Sequence, residues 1–296
     1  VESYISAGRD PKNQARAIGG LNITWSATVP LALVIAGPMI DLWPPLIFAL
    51  SAGLNMITLV LLRPLERQPL HLDLDHPDRL TREQVESYRA QLHSTRWLMM
   101  VSYAMLFVIA PLMPDIFKHR LGFDVTTATG LSGISDLMRV AAFVTMQRWA
   151  GWHGRRGVIY LTLLGLPAGF FMIIAGQDTA TVVIGEVIFG IVAGMTYYAA
   201  LYYGMVVHDS SVEGGGAHEG LIGLGFTLGP ICGLIGNALA GAWSNTLVGM
   251  AVGVAPLLVL GVVGGTYPLL TAPRRAPVAE QAPQDPMTAD EDLLDP

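Results

Sequence analysis

Apolar residues along this chain fall into long runs separated by polar connectors. A helix crossing a hydrocarbon core of about 30 Å needs roughly 20 such residues, because lipid offers no partner to a free backbone N–H or C=O. Eight runs meet that length: Ala17–Ala36, Pro44–Leu62, Trp97–Phe117, Thr126–Met146, Gly157–Ala175, Thr181–Tyr203, Gly220–Gly241 and Thr246–Thr266. The fourth is interrupted by two charges, Asp136 and Arg139. The connectors Gly37–Trp43, Gly176–Ala180 and Ala242–Asn245 are short enough for tight hairpins. Between the second and third runs lies the polar segment Arg63–Arg96. Within it Thr81-Arg-Glu-Gln84 reads as a capping box that opens a short amphipathic helix through His93. From Pro273 to Pro296 proline and acid prevail, and disorder is expected there. The pattern predicts an all-α polytopic membrane protein, a helical bundle with about eight transmembrane helices.

Composition agrees. The chain is 52% hydrophobic and 14% charged, with a mean hydropathy of +0.49, whereas a soluble domain carries roughly 25% charged residues. The net charge of −6 says little about partners, since six acids sit in the tail; nothing points to nucleic acid. The single cysteine, Cys232, lies in an apolar run and excludes a disulfide framework. No glycine-rich phosphate loop is present. His71-Leu-Asp-Leu-Asp-His76 matches no structural zinc spacing, and neither a metal nor a cofactor is expected. His208-Asp-Ser-Ser211 and His218-Glu219 flank the glycine run Gly214–Gly216, which fixes no hydrolytic arrangement, so no catalytic residue is assigned.

Lysine and arginine set the orientation. With Val1 on the cytoplasmic side, that side receives Arg9, Lys12, Arg16, Arg63, Arg67, Arg79, Arg82, Arg89, Arg96, Arg148, Arg155, Arg156, Arg274 and Arg275, fourteen of the seventeen basic residues. The other side receives Lys118 and Arg120, and Arg139 lies within a span. Both ends of the chain are therefore expected in the cytoplasm, in a cell (inner) membrane.

Charges at membrane depth cost several kcal/mol unless paired or hydrated, so they are functional candidates by default. Asp136 and Arg139 stand three residues apart, on one helix face that Thr129, Ser132 and Phe143 extend. The pair serves either a water-filled pathway or packing alone. Glu186 shares a helix side with Gly190, Ala193 and Tyr197, and a buried carboxyl without a cation can load and release protons; the plainer alternative is an acid at the outer interface. Tyr198, Tyr202 and Tyr203 read as interfacial anchors, with Tyr197 turned to the cavity. Asn55 and Trp25 are further pathway candidates. Gly190-x-x-x-Gly194 and Gly225-x-x-x-Gly229 read as close helix contacts, and Pro111, Pro167 and Pro230 as kinks.

Three segments carry a resemblance to a known family. Gln147-Arg-Trp-Ala-Gly-Trp-His-Gly-Arg-Arg156, between the fourth and fifth spans, resembles the G-x-x-x-D-R-x-G-R-R loop of the major facilitator superfamily. Gly154, Arg155 and Arg156 match its end, while the usual acid is missing near Gly151 or Trp152. Ala15-Arg-Ala-Ile-Gly-Gly-Leu-Asn-Ile-Thr-Trp-Ser26 is similar to the start of that family's fifth helix, and Gly225-Phe-Thr-Leu-Gly-Pro-Ile-Cys-Gly233 to its eleventh. Trp25-Ser-Ala-Thr-Val-Pro30 departs from the G-P-x-x-G-G of its drug–proton antiporters, and Arg63-Pro-Leu-Glu-Arg67 from the P-E-S-P-R of its sugar porters.

The resemblance implies helices five to twelve of a secondary carrier. Residues 1–62 would close the N-terminal half, 63–96 form the central cytoplasmic linker, 97–270 the C-terminal half and 271–296 a tail. Because Val1 is not an initiator, four further helices of the same protein are expected upstream as partners, without which transport would fail. The implied activity is alternating-access transport of a small solute, coupled to a proton, with Arg148, Gly154, Arg155 and Arg156 as a gating loop. A polytopic membrane enzyme and a non-transporting receptor are the alternatives.

Overall fold

A computed structural model of the chain describes residues 4–5, 9, 11–43, 45–63, 82–208 and 211–271. The proposed linker's centre with the His71–His76 cluster, and the tail beyond Thr271, lie outside the described residues. Among the described residues nine principal helices follow in order: α1 Pro11–Leu42, α2 Leu46–Leu62, α3 Arg82–Ile109, α4 Val125–Leu131, α5 Ile134–Arg148, α6 Gly157–Ala175, α7 Thr179–Val207, α8 Val212–Trp243 and α9 Thr246–Thr271. Short helical turns fill Met113–Asp115, Ile116–Arg120 and Ala150–Trp152.

Among the described residues five segments are long and apolar enough to cross a membrane: Gln84–Ile109, Gly157–Ala175, Thr179–Val207, Val212–Trp243 and Thr246–Thr271. The apolar stretch Phe48–Leu62 is shorter. The expected fourth span is divided into α4 and α5 by a turn at Ser132 and Gly133. Ser132 Oγ donates back to the Ala128 carbonyl (2.7 Å), and the Gly133 amide tightens onto Gly130 (3.2 Å), so helical bonding changes register there. As a result Asp136 falls in the first turn of α5, where free amides favour a negative charge.

The separate amphipathic helix expected to end at His93 does not end there. It runs into the third span as one helix, α3, because Ser94-Thr95-Arg96 holds no helix breaker. The Thr95 hydroxyl returns to the Gln91 carbonyl (2.7 Å), and Ser94 and Thr95 are buried. At its other end α3 stops two residues before Pro111, which cannot donate to the helix. The chain then turns back over α6, where Arg120 Nη1 donates to the carbonyls of Ile174 (2.8 Å) and Gly176 (3.3 Å) and caps the helix end.

Consecutive helices pack as antiparallel pairs, α6 on α7 and α8 on α9, while α3 lies among α7, α8 and α9. α1 packs on α5 and α7, and α2 makes its main contacts with α1. Side chains of α2 stay largely exposed, Phe48 at 78%, as expected of a helix turned to lipid. Close approach of α8 to α3 depends on glycine: a Cβ at Gly225 would lie 2.7 Å from the Met100 carbonyl oxygen, and one at Gly229 would strike that of Ala104.

Gly225→Ala should therefore destabilise the detergent-solubilised protein by about 1–3 kcal/mol. Gly223→Ala, where a Cβ meets nothing within 4 Å, should leave thermal unfolding unchanged or slightly raised. Equal melting temperatures for the two variants would remove the close contact from the account.

Candidate functional site

A cavity of about 930 Å³ lies at the seam between α1 and the helices α3, α5, α7 and α8. Trp25 enters from α1, Tyr103 and Phe107 from α3, Asp136 and Arg139 from α5, Tyr197 from α7, and Glu219 and Phe226 from α8. The rings form a continuous wall. Centroids lie 5.5 Å apart for Trp25 and Tyr197, 5.9 Å for Tyr103 and Tyr197, and 4.1 Å for Phe107 and Phe226.

The charged centre is on α5. Arg139 Nη2 donates to Asp136 Oδ1 at 3.0 Å, and the two side chains are 8% and 18% exposed. Trp25 lies 5.5 Å from the Arg139 guanidinium carbon, over its ring, in a cation–π arrangement. The Trp25 indole N–H is fixed in turn by Asn22 Oδ1 at 3.2 Å. α7 reaches this point through Gly194, where a Cβ would fall 2.9 Å from the Arg139 carbonyl oxygen.

Of the residues singled out in the sequence, Trp25, Asp136, Arg139 and Tyr197 line the cavity together. Glu186 does not. It lies eleven residues before Tyr197 on α7, about 16 Å along a helix. It is fully buried rather than at an interface, and neither carboxyl oxygen has a hydrogen-bond partner. Asn55 also lies apart from the cavity: it is exposed on α2, and its side-chain N–H bonds to the Ser51 carbonyl of the preceding turn (2.8 Å).

Tyr198, Tyr202 and Tyr203 are not interfacial anchors; all three are buried. Tyr198 donates to the Ala15 carbonyl at 2.6 Å, tying α7 to the start of α1. The others hold the loop between α5 and α6. Trp152 is buried edge-on against Tyr198, Tyr202 and Tyr203, and His153 stacks on Tyr202 with centroids 4.4 Å apart. The Gly154 amide donates to Tyr203 Oη (3.0 Å), and Gln91 Nε2 of α3 donates to the Gly154 carbonyl (2.6 Å). Gly154 has φ +68°, a conformation that favours glycine. Arg148, Arg155 and Arg156 are exposed here, so in this conformation the loop is held by Trp152, His153 and Gly154 rather than by its arginines.

Sequence reading missed Glu219, Tyr103, Phe107 and Phe226 as cavity residues, along with Gln91 at the loop. The spacing Gly215, Glu219, Ile222, Phe226 is one helical stripe, and it would have revealed the cavity face of α8. It also missed His218, which is buried edge-on to Tyr197 (4.9 Å) with both ring nitrogens lacking a hydrogen-bond partner. No group of three or more His, Cys, Asp or Glu among the described residues could hold a metal.

Burial against Trp152 and Tyr202 lowers His153 from its ordinary 6.5 to about 4. The docked loop thus favours the neutral ring, while a released ring titrates near 6.5. Docking should be full above about pH 6.5 and weaken as pH falls toward about 4. Hydrogen exchange at the Gly154 amide, corrected for its intrinsic pH dependence, should speed up across that window. His153→Phe should abolish the trend, and a persisting trend in that variant would contradict the assignment.

No curated protein and no solved structure matched this chain in the comparisons. The family model described as Major Facilitator Superfamily matches residues 3–217, the stretch that holds α1 to α7, the loop and the first turns of α8. With that match over most of its length, and with its apolar helices, the chain belongs to the major facilitator superfamily of membrane transporters.

Proposed function

We propose that this protein is a secondary carrier that binds a small solute in the cavity and couples its movement to a proton carried by Glu186. The observation that supports this is the cavity's position at a helix seam. α1 supplies one wall, and α3, α5, α7 and α8 supply the others, so rocking of one set against the other would change which side reaches the solute. In this reading residues 1–62 close one helical bundle, 63–96 link it to the second, and 97–270 form that second bundle. The exposed Arg148, Arg155 and Arg156 keep their loop, and both ends of the chain, on the cytoplasmic side of the inner membrane.

Asp136 and Glu186 face one base. Arg139 is committed to Asp136 at 3.0 Å, and that leaves Glu186, without a hydrogen-bond partner, as the carboxyl free to take up and release a proton. Its distance from Tyr197 separates the proton site from the solute site. Coupling would then pass through α7 and the α5–α7 contact rather than by direct competition.

Gly216 lines the cavity with open space around it, and Cys232 is buried. In sealed vesicles holding the full protein, Gly216→Cys in a Cys232→Ser background should react with a membrane-impermeant thiol reagent from the cytoplasmic side. An imposed proton gradient should change that rate. Adding Glu186→Gln should keep the basal reactivity and remove the gradient response. A response that survives Glu186→Gln would refute the proton assignment, and a cysteine indifferent to the gradient in the parent would refute alternating access.

A further inference from the structure

We infer that the cavity accepts an organic monocation with a large apolar body, an assignment that rests on reading the cavity as the transport site. Charge comes first. The lining holds Asp136, Arg139 and Glu219. Arg139 is already neutralised by Asp136 at 3.0 Å and covered by Trp25 at 5.5 Å. An anionic solute would meet an arginine whose charge Asp136 already offsets, and a second carboxylate, Glu219, in the same wall. Glu219 is different: it is exposed into the cavity and has no ion-pair partner among the described residues. Arg96, one of three arginines on the facing helix α3, donates instead to the Gly214 carbonyl (3.2 Å), and none of the three lines the cavity. Among the described residues the wall therefore carries one unneutralised negative charge.

The rest of the wall suits the same ligand. Trp25, Tyr103, Phe107, Tyr197 and Phe226 surround the space, and aromatic faces attract a weakly hydrated cation more strongly as water is excluded. They also give an apolar body somewhere to go, which a strongly hydrated ammonium or metal ion would not use. A volume of about 930 Å³ belongs to the size range of sites for drug-sized ligands, roughly 300–1,000 Å³. A neutral solute of that size would leave Glu219 desolvated and unpaired.

The test uses the near-isosteric ions tetraphenylphosphonium and tetraphenylborate. Their binding to the full protein in lipid nanodiscs would be measured by equilibrium dialysis, with empty nanodiscs as the blank. Tetraphenylphosphonium should bind saturably and tetraphenylborate at least about tenfold more weakly, the least that one uncompensated charge at low dielectric should give. Glu219→Gln should weaken the cation at least about tenfold. Glu213→Gln, on the first turn of the same helix but outside the lining, should stay within about twofold of the parent. Equal or tighter borate binding, an unchanged Glu219→Gln, or saturable binding of neither ion would overturn the cation assignment. None of these results touches the gradient response of Gly216→Cys, which decides the transport reading by itself.

Discussion

Arg139 is a permanent cation held inside a membrane bundle, and its neutralisation by Asp136 is the constraint around which the site is arranged. Lone charges at that depth are disfavoured by several kcal/mol, and losing one partner of a buried pair is worse than losing both. The chain meets this requirement three times over. The turn at Ser132 and Gly133 starts a new helix just before Asp136, so Asp136 stands in the first turn of α5, where the helix dipole favours its charge, as well as beside Arg139. Gly194 lets α7 close against the backbone of Arg139. Trp25, from α1, lays its ring over the guanidinium. Because α1 touches the pair through a ring face rather than an ion pair, the seam can carry a cavity without stranding a charge.

Glu186 and the loop after α5 show what the pair leaves to be done elsewhere. Glu186 has neither a helix start nor a cation and is sealed among side chains of the bundle. In the proposed carrier a change in its protonation gives that setting a use. At the other end of α7, Tyr198, Tyr202 and Tyr203 turn a hydrophobic helix into a set of hydroxyl contacts that grip α1 and the loop. One helix thereby carries the buried acid, the cavity wall at Tyr197 and the loop clasp, which makes α7 the element that would link the three in the proposed carrier.

Much of this was legible in the chain. Helix positions follow from hydropathy, because lipid forces every backbone group to be satisfied within its own segment. Asp136 and Arg139 could be paired by spacing alone, since residues three apart share a helix face. What was illegible depended on tertiary neighbours. The joining of the linker helix to the third span was hidden because polar Ser94 and Thr95 look solvent-facing until the neighbours that bury them are known. Tyrosines near a helix end are ordinarily interfacial, and only Ala15 and Gly154, distant in sequence, show why these are buried. Asn55 looked inward on a helix whose side chains are largely exposed. Glu219 was set aside with His218 beside the glycine run, because the first turns of α8, rich in glycine, carry little apolar signal despite lining the cavity.

The central claim is that Asp136 and Arg139 act as one neutral unit. A double-mutant cycle on unfolding free energy in mild detergent, using Asp136→Asn, Arg139→Gln and both together, measures this directly. The account predicts that each single change is strongly destabilising and that the double variant recovers part of the loss, with a coupling of about 1–3 kcal/mol. Additive losses, with coupling near zero, would mean that the two side chains are solvated independently and would contradict it.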